Sequence, residues 1–106
     1  MDDRSAWTRP FTVVPDPDLV DLVPTYLGRR HDDLAKLEAA LAVADLETVR
    51  IIGHSMKGSG GGYGFDGLTT IGALLENAGR DGDPFAAKSA TADLRDYLAN
   101  VEVDYA

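Results

Sequence analysis

Apolar residues recur at three- and four-residue intervals along most of the chain, the spacing of helices that bury one face. In residues 24–44, Leu27, Leu34, Leu37 and Leu41 share a stripe, with Arg29, Asp33, Lys36 and Ala40 largely off it. Val49, Ile52, Met56, Ser59 and Tyr63 line a second segment, and Leu68, Ile71, Leu75 and Ala78 a third. A fourth carries Leu94, Tyr97, Leu98, Val101 and Tyr105, with Lys88, Asp93, Arg95 and Asp96 mostly on its other side. Asp45, Asp66 and Asp83 stand where N-caps are needed, their side chains able to accept from the unpaired amides of a first turn. Pro84 follows at a first helical position, and Gly79 and Gly82 are suited to ending the third segment. Asp16-Pro17 repeats the start signal and opens a short helix over residues 18–23, before Pro24 kinks it or begins the next.

No period-two alternation stands out after residue 15. The pattern predicts an all-α fold, an antiparallel four-helix bundle with a short accessory N-terminal helix. Residues 1–15 read as a leader and residues 16–106 as one domain. Within the leader, Phe11-Thr12-Val13-Val14 lies between Pro10 and Pro15 as an extended run without a partner strand. It is expected to pack on the domain body or to remain mobile. Trp7 and Phe11 either cover the bundle or meet a partner.

Composition narrows the function. The chain has 106 residues, 10 Lys+Arg against 18 Asp+Glu, a formal net charge of -8 and no cysteine. That length suits one core and not two. The acidic balance argues against nucleic acid, whose phosphates call for a positive footprint, and against anionic membranes. Absence of cysteine removes disulfides, thiolate metal sites and thiol nucleophiles, and fits a reducing cytoplasm. The start, Met1-Asp2-Asp3-Arg4, lacks the pattern of a signal peptide, and no apolar run is long enough to span a bilayer. A cytoplasmic monomer without metal or cofactor is expected.

The unusual stretch runs from Gly53-His54-Ser55-Met56-Lys57-Gly58-Ser59 through Gly60-Gly61-Gly62 to Tyr63-Gly64-Phe65. It is no P-loop, since Lys57 precedes the second glycine and helical sequence precedes the segment. The dinucleotide fingerprint fails at Tyr63. His31 and His54, the two histidines, lie in different segments, without the one-turn spacing of H-E-x-x-H. A serine triad built on His54 with Ser55 or Ser59 lacks a nucleophile elbow and an oxyanion hole. His31 reads as a structural residue on the flank of its stripe, and Asp32-Asp33 as a solvated face.

Helix geometry is more informative. At about 100° per residue, positions 50, 51, 54, 57, 58 and 61 share a face opposite the apolar stripe. His54 therefore projects outward, with Arg50 one turn before it and Lys57 one turn after. If the helix continues to about Gly64, each interior glycine costs roughly 1 kcal/mol relative to alanine. Such a helix suggests that something approaches its backbone closely. The alternative is a helix that ends near Gly58 and leaves a flexible loop. Neutral imidazole is nucleophilic at physiological pH and can accept a phosphoryl group. A lysine at i+3 can lie beside the added negative charge, and at an exposed site its attraction amounts to about 0–1 kcal/mol.

At these residues the sequence resembles the histidine phosphotransfer (HPt) domain family. The resemblance rests on H-x-x-K-G as His54-Ser55-Met56-Lys57-Gly58, on Gly64 downstream, and on a leucine-to-glutamate pattern from Leu68 to Leu75-Glu76. The acidic helix start Asp45-Leu46-Glu47 also resembles the family, and the similarity spans residues 16–103. It implies that His54 accepts the phosphoryl group, that Lys57 and Gly58 shape its surroundings, and that Gly61 leaves room for a partner. It further implies that the partners are receiver domains of response regulators or of hybrid sensor histidine kinases. These supply the acceptor aspartate and the metal ion, so that the chain is a phosphocarrier and not itself an enzyme. Arg50, Ile51, Gly58 and Gly61 are then the expected docking face. Gly60 to Gly62 depart from the alanine or serine commoner there. Gly62-Tyr63-Gly64-Phe65 is similar to the phosphoacceptor domain of chemotaxis-type histidine kinases, which remains an alternative. So does a bundle that binds a partner while His54 is chemically idle.

Overall fold

Aspartate caps set two of the helix starts as expected. The Asp45 carboxylate accepts from the Thr48 amide at 3.1 Å, and that of Asp83 from the Ala86 amide at 3.0 Å. The computed structural model describes residues 7–105, in which four helices follow one another: α1 (Val23–Ala42), α2 (Leu46–Gly60), α3 (Asp66–Asp81) and α4 (Pro84–Asn100). The fold is an all-α helical bundle. Its accessory N-terminal helix is a 3₁₀ helix, Pro17–Leu22, capped by Asp16, whose carboxylate accepts from the Asp18 amide. Asp66 is the first residue of α3 and not its cap, a position held by Phe65. Among the described residues no helix is long and apolar enough to cross a membrane.

The stripe of α3 buries as its spacing predicts, Leu68, Ile71, Leu75 and Ala78 meeting Val49, Ile52 and Met56 of α2 in the core. Ser59 and Tyr63, expected on the same face as these three, are only half-buried, because the helix ends at Gly60. The stripe of α1 is rotated from its leucines. Val23, Tyr26, Arg30, Leu37 and Ala40 are buried, while Leu27, Leu34 and Leu41 are half-buried at its edge. Ala40 thus belongs to the core, against expectation. Its small side chain and the flat ring of Tyr26 fit inside the bundle, and leucines at the seam cover them. Asp93 is likewise buried within α4.

The extended run of residues 11–14 packs on the domain body as expected, but it does have a partner strand. Phe11–Val13 forms a strand, β1, that pairs in parallel with β2, Val101–Val103, in the register Phe11 to Val101 and Val13 to Val103. Helix α4 therefore stops at Asn100, and Val101 and Tyr105 do not extend its stripe. The Asn100 amide donates to the carbonyls of Trp7 and Asp96, at 2.9 and 3.0 Å, which fastens the helix end to the leader. Phe11, Val13, Val101 and Val103 pack against the core, while Thr12 and Glu102 face outward. Trp7 and Phe11 also settle on Tyr97, with ring centroids 6.0 and 4.8 Å away. These rings cover the bundle.

Helix α2 ends between the two expected alternatives. It is α-helical to Gly60, tightens to a 3₁₀ turn over Gly61–Tyr63, and turns at Gly64, whose φ of 92° is left-handed and disfavours any side chain. Tyr63 stacks on Tyr26 at 4.1 Å, and Phe65 is fully buried. The close approach inferred from the glycines is made by α3. A Cβ at Gly53 would overlap the Glu76 amide nitrogen, and one at Gly60 would lie 2.6 Å from that of Thr69. On the facing helix, a Cβ at Gly72 would overlap the Lys57 amide nitrogen, and one at Gly79 would lie 2.6 Å from Arg50 Cβ. Gly79 is therefore a packing residue inside α3, and Gly82, at φ 64°, is its terminator.

Candidate functional site

Because Gly53 and Gly72 bring two backbones together, side chains flanking that contact reach across it. His54 leaves α2 beside Gly53, and Glu76 leaves α3 one turn after Gly72. The His54 Nδ1 lies 2.6 Å from Glu76 Oε2, and Lys57 Nζ donates to Glu76 Oε1 at 2.5 Å. One carboxylate thus holds the two residues singled out by sequence, one with each oxygen. The side chain of Glu76 is 6% exposed, that of His54 69% and that of Lys57 41%. His54 projects outward as expected, with Val49, Ile52 and Met56 buried behind it.

The electrostatics determine which imidazole nitrogen is free. Hydrogen bonds from Lys57 first and His54 second, opposed by burial, hold the Glu76 carboxyl at about 2, against an ordinary 4.5. Near neutral pH it is ionised and only accepts hydrogen bonds. The Nδ1 that faces it therefore carries the proton. In the neutral ring, the lone pair is then at Nε2, on the edge turned away from Glu76.

The other predicted residues surround this centre. Arg50 does not stand as a free cation beside His54. Its guanidinium donates to both Glu47 oxygens, from Nε at 3.1 Å and Nη2 at 2.5 Å. Ile51 is exposed, and a Cβ at Gly58 would stand in open space, with nothing within 4 Å beyond the surrounding backbone of its own helix. Gly61 lies in the 3₁₀ turn, where its amide donates to Thr69 Oγ1 at 2.8 Å, while that hydroxyl donates to the Lys57 carbonyl at 3.1 Å. Thr69 thereby secures the end of α2, and with it the lysine, to α3.

On the opposite flank of His54, toward α1, a cleft of about 350 Å³ opens beside Ser55 and is lined by Leu22, Tyr26, Arg30, Ser59 and Tyr63 among others. Arg30 lies over the Tyr26 ring, donates to Ser59 at 3.2 Å and pairs with Asp33 at 2.8 Å. Asp33 is accordingly half-buried, and burial raises its pKa despite Arg30. It does not belong to the solvated face expected of it, whereas Asp32 and His31 are exposed. Among the described residues no cluster of three His, Asp or Glu side chains could hold a metal ion.

Glu76 is the functional candidate that reasoning from sequence left without a role, although it appeared in the leucine-to-glutamate pattern. The readable signal was glycine spacing. Gly53 and Gly60 are seven apart, as are Gly72 and Gly79, two helical turns that mark a close helix pair with residues 54 and 76 at its edge. In comparison with known proteins, a family model described as Hpt domain matches residues 21–104. No curated protein and no solved structure matches the chain.

Proposed function

The chain belongs to the Hpt domain family, whose role is histidine phosphotransfer in phosphorelays, and on that footing we propose that it carries a phosphoryl group on His54 Nε2 and exchanges it with the aspartate of a receiver domain. One observation carries this reading: the buried carboxylate of Glu76 on Nδ1, which leaves the outward nitrogen unprotonated. The Nε2 lone pair attacks phosphorus of an aspartyl phosphate, the Nε2–P bond forms, and the acyl P–O bond breaks as the aspartate carboxylate departs with the electron pair. The Nδ1 proton stays in place, and Glu76 balances the positive charge that develops on the ring. In the reverse direction the same carboxylate stabilises the phosphoimidazolium from which the group leaves.

Lys57 supplies positive charge one turn from the acceptor, where phosphoryl oxygens gather. Ile51 and the bare backbone at Gly58 provide a small apolar surface beside the ring on which a receiver can rest. The receiver brings the acceptor aspartate and its metal ion, so the chain needs no catalytic apparatus of its own. Incubation with a phosphorylated receiver domain should transfer acid-labile, base-stable label to the wild-type protein and none to His54→Gln. Equal labelling of the two removes the proposal.

A further inference from the structure

Lys57 is already engaged before any phosphoryl group arrives. Its ammonium donates to Glu76 Oε1 at 2.5 Å, on a carboxylate that is 6% exposed. Phosphorylation of Nε2 places a second and more highly charged anion within reach of the same ammonium. As Lys57 turns toward it, Oε1 loses its closest cation just as negative charge increases nearby. Stripping a nearly buried carboxylate of its partner is costly, and repulsion between the two anions adds to that cost. A second cation stands by. Arg80 Nη2 lies 3.6 Å from the same Oε1, one turn further along α3, and Arg80 Nη1 donates to Asn77 Oδ1 at 3.1 Å. Arg80 is 59% exposed, so it can close this gap by side-chain rotation without disturbing the core.

We propose that Arg80 is a positioning residue that takes over Glu76 Oε1 when Lys57 moves to the phosphoryl group. The two cations exchange one carboxylate, and Glu76 remains charge-balanced and fixed on His54 Nδ1 throughout. This rests on the reading of His54 as the phosphoacceptor. The ordinary alternative is a cation at a helix C-terminus, favourable there through the helix dipole and the Asn77 contact alone. That role has no connection with Lys57.

The test uses phosphoramidate, a small phosphoryl donor that needs no receiver. Its P–N bond breaks as Nε2–P forms, and ammonia leaves with the electron pair from the protonated amino group. Initial rates of phosphohistidine formation are compared by anion exchange for the wild type, Arg80→Gln, Arg80→Lys, Lys57→Ala and the Lys57→Ala/Arg80→Gln double variant. Circular dichroism establishes that each is folded. Arg80→Gln should slow labelling about two- to fivefold, the range of one partly exposed ion pair. Arg80→Lys should restore most of it, and in the Lys57→Ala background the effect of Arg80→Gln should largely vanish. Labelling of Arg80→Gln at the wild-type rate overturns the exchange, as does an equal loss with and without Lys57. Failure of the wild type to label at all, with His54→Gln as control, overturns the phosphoacceptor reading itself.

Discussion

Glu76 does at residue scale what neither His54 nor Lys57 can do alone. A histidine and a lysine one turn apart repel when both are charged, and a solvated imidazole distributes its proton between two nitrogens. A carboxylate held on both removes the repulsion and fixes the tautomer. The pH dependence follows from its pKa. At about 2 in the fold against an ordinary 4.5, the ionised form is favoured by folding. Its contribution to stability is complete above pH 4.5 and is lost as pH falls from 4.5 toward 2. Urea titrations of wild type and Glu76→Gln from pH 6 to 2 are expected to converge across that window, as the wild type loses the advantage it holds near neutrality. Parallel curves would show that the carboxylate contributes nothing linked to its ionisation.

At the scale of elements, the glycines divide into two kinds that residue type alone does not distinguish. Gly53, Gly60, Gly72 and Gly79 lie in the α2–α3 seam, where a methyl group would strike backbone and, at Gly53, Gly60 and Gly79, also the side chains of Leu75, Thr69 and Arg50. Gly58 faces open space. Gly53→Ala should therefore destabilise the protein by about 1–3 kcal/mol or more, as overpacking of a rigid contact does, and should move Glu76 away from His54. Gly58→Ala should instead add about 0.5–1 kcal/mol through helix propensity and, under the proposed function, should slow transfer from a receiver by raising the surface on which the receiver would rest. Thermal denaturation with receiver-dependent labelling measures both. If Gly53→Ala were as stable as the wild type, the seam would be looser than its geometry implies.

Across the described molecule, the strands β1 and β2, far apart in sequence, pair with each other and pack on the bundle core. β1 and β2 are three residues each and unstable in isolation, yet they stand on Tyr97 with Trp7 and Phe11 against its ring. Burial also raises the Tyr97 pKa, so its hydroxyl stays protonated under ordinary conditions. Phe11→Ala should lower unfolding free energy by about 1–3 kcal/mol, less than a fully buried phenylalanine because Phe11 is only half-buried. Since these rings contact neither His54 nor Glu76, phosphoramidate labelling of the folded variant should match the wild type. Loss of labelling with no loss of stability would instead connect the terminal strands to the site.

Helix number, the Asp45 and Asp83 caps, the buried faces of α2 and α3 and the outward direction of His54 were legible in the sequence, because each follows from interactions within about four residues. The core face of α1 was less so: its leucines mark the stripe's edge, and Arg30 is buried only because Ser59, Asp33 and Tyr26 meet it there. Strand pairing joins Phe11 to Val101, too distant in sequence and too short for periodicity to reveal. The site divides in the same way. His54 and Lys57 are local, a helical turn apart, and could be named from their spacing. Glu76 and Arg80 join them only where bare glycine backbone lets α2 and α3 come close enough for one carboxylate to hold both residues, a distance that tertiary packing alone decides.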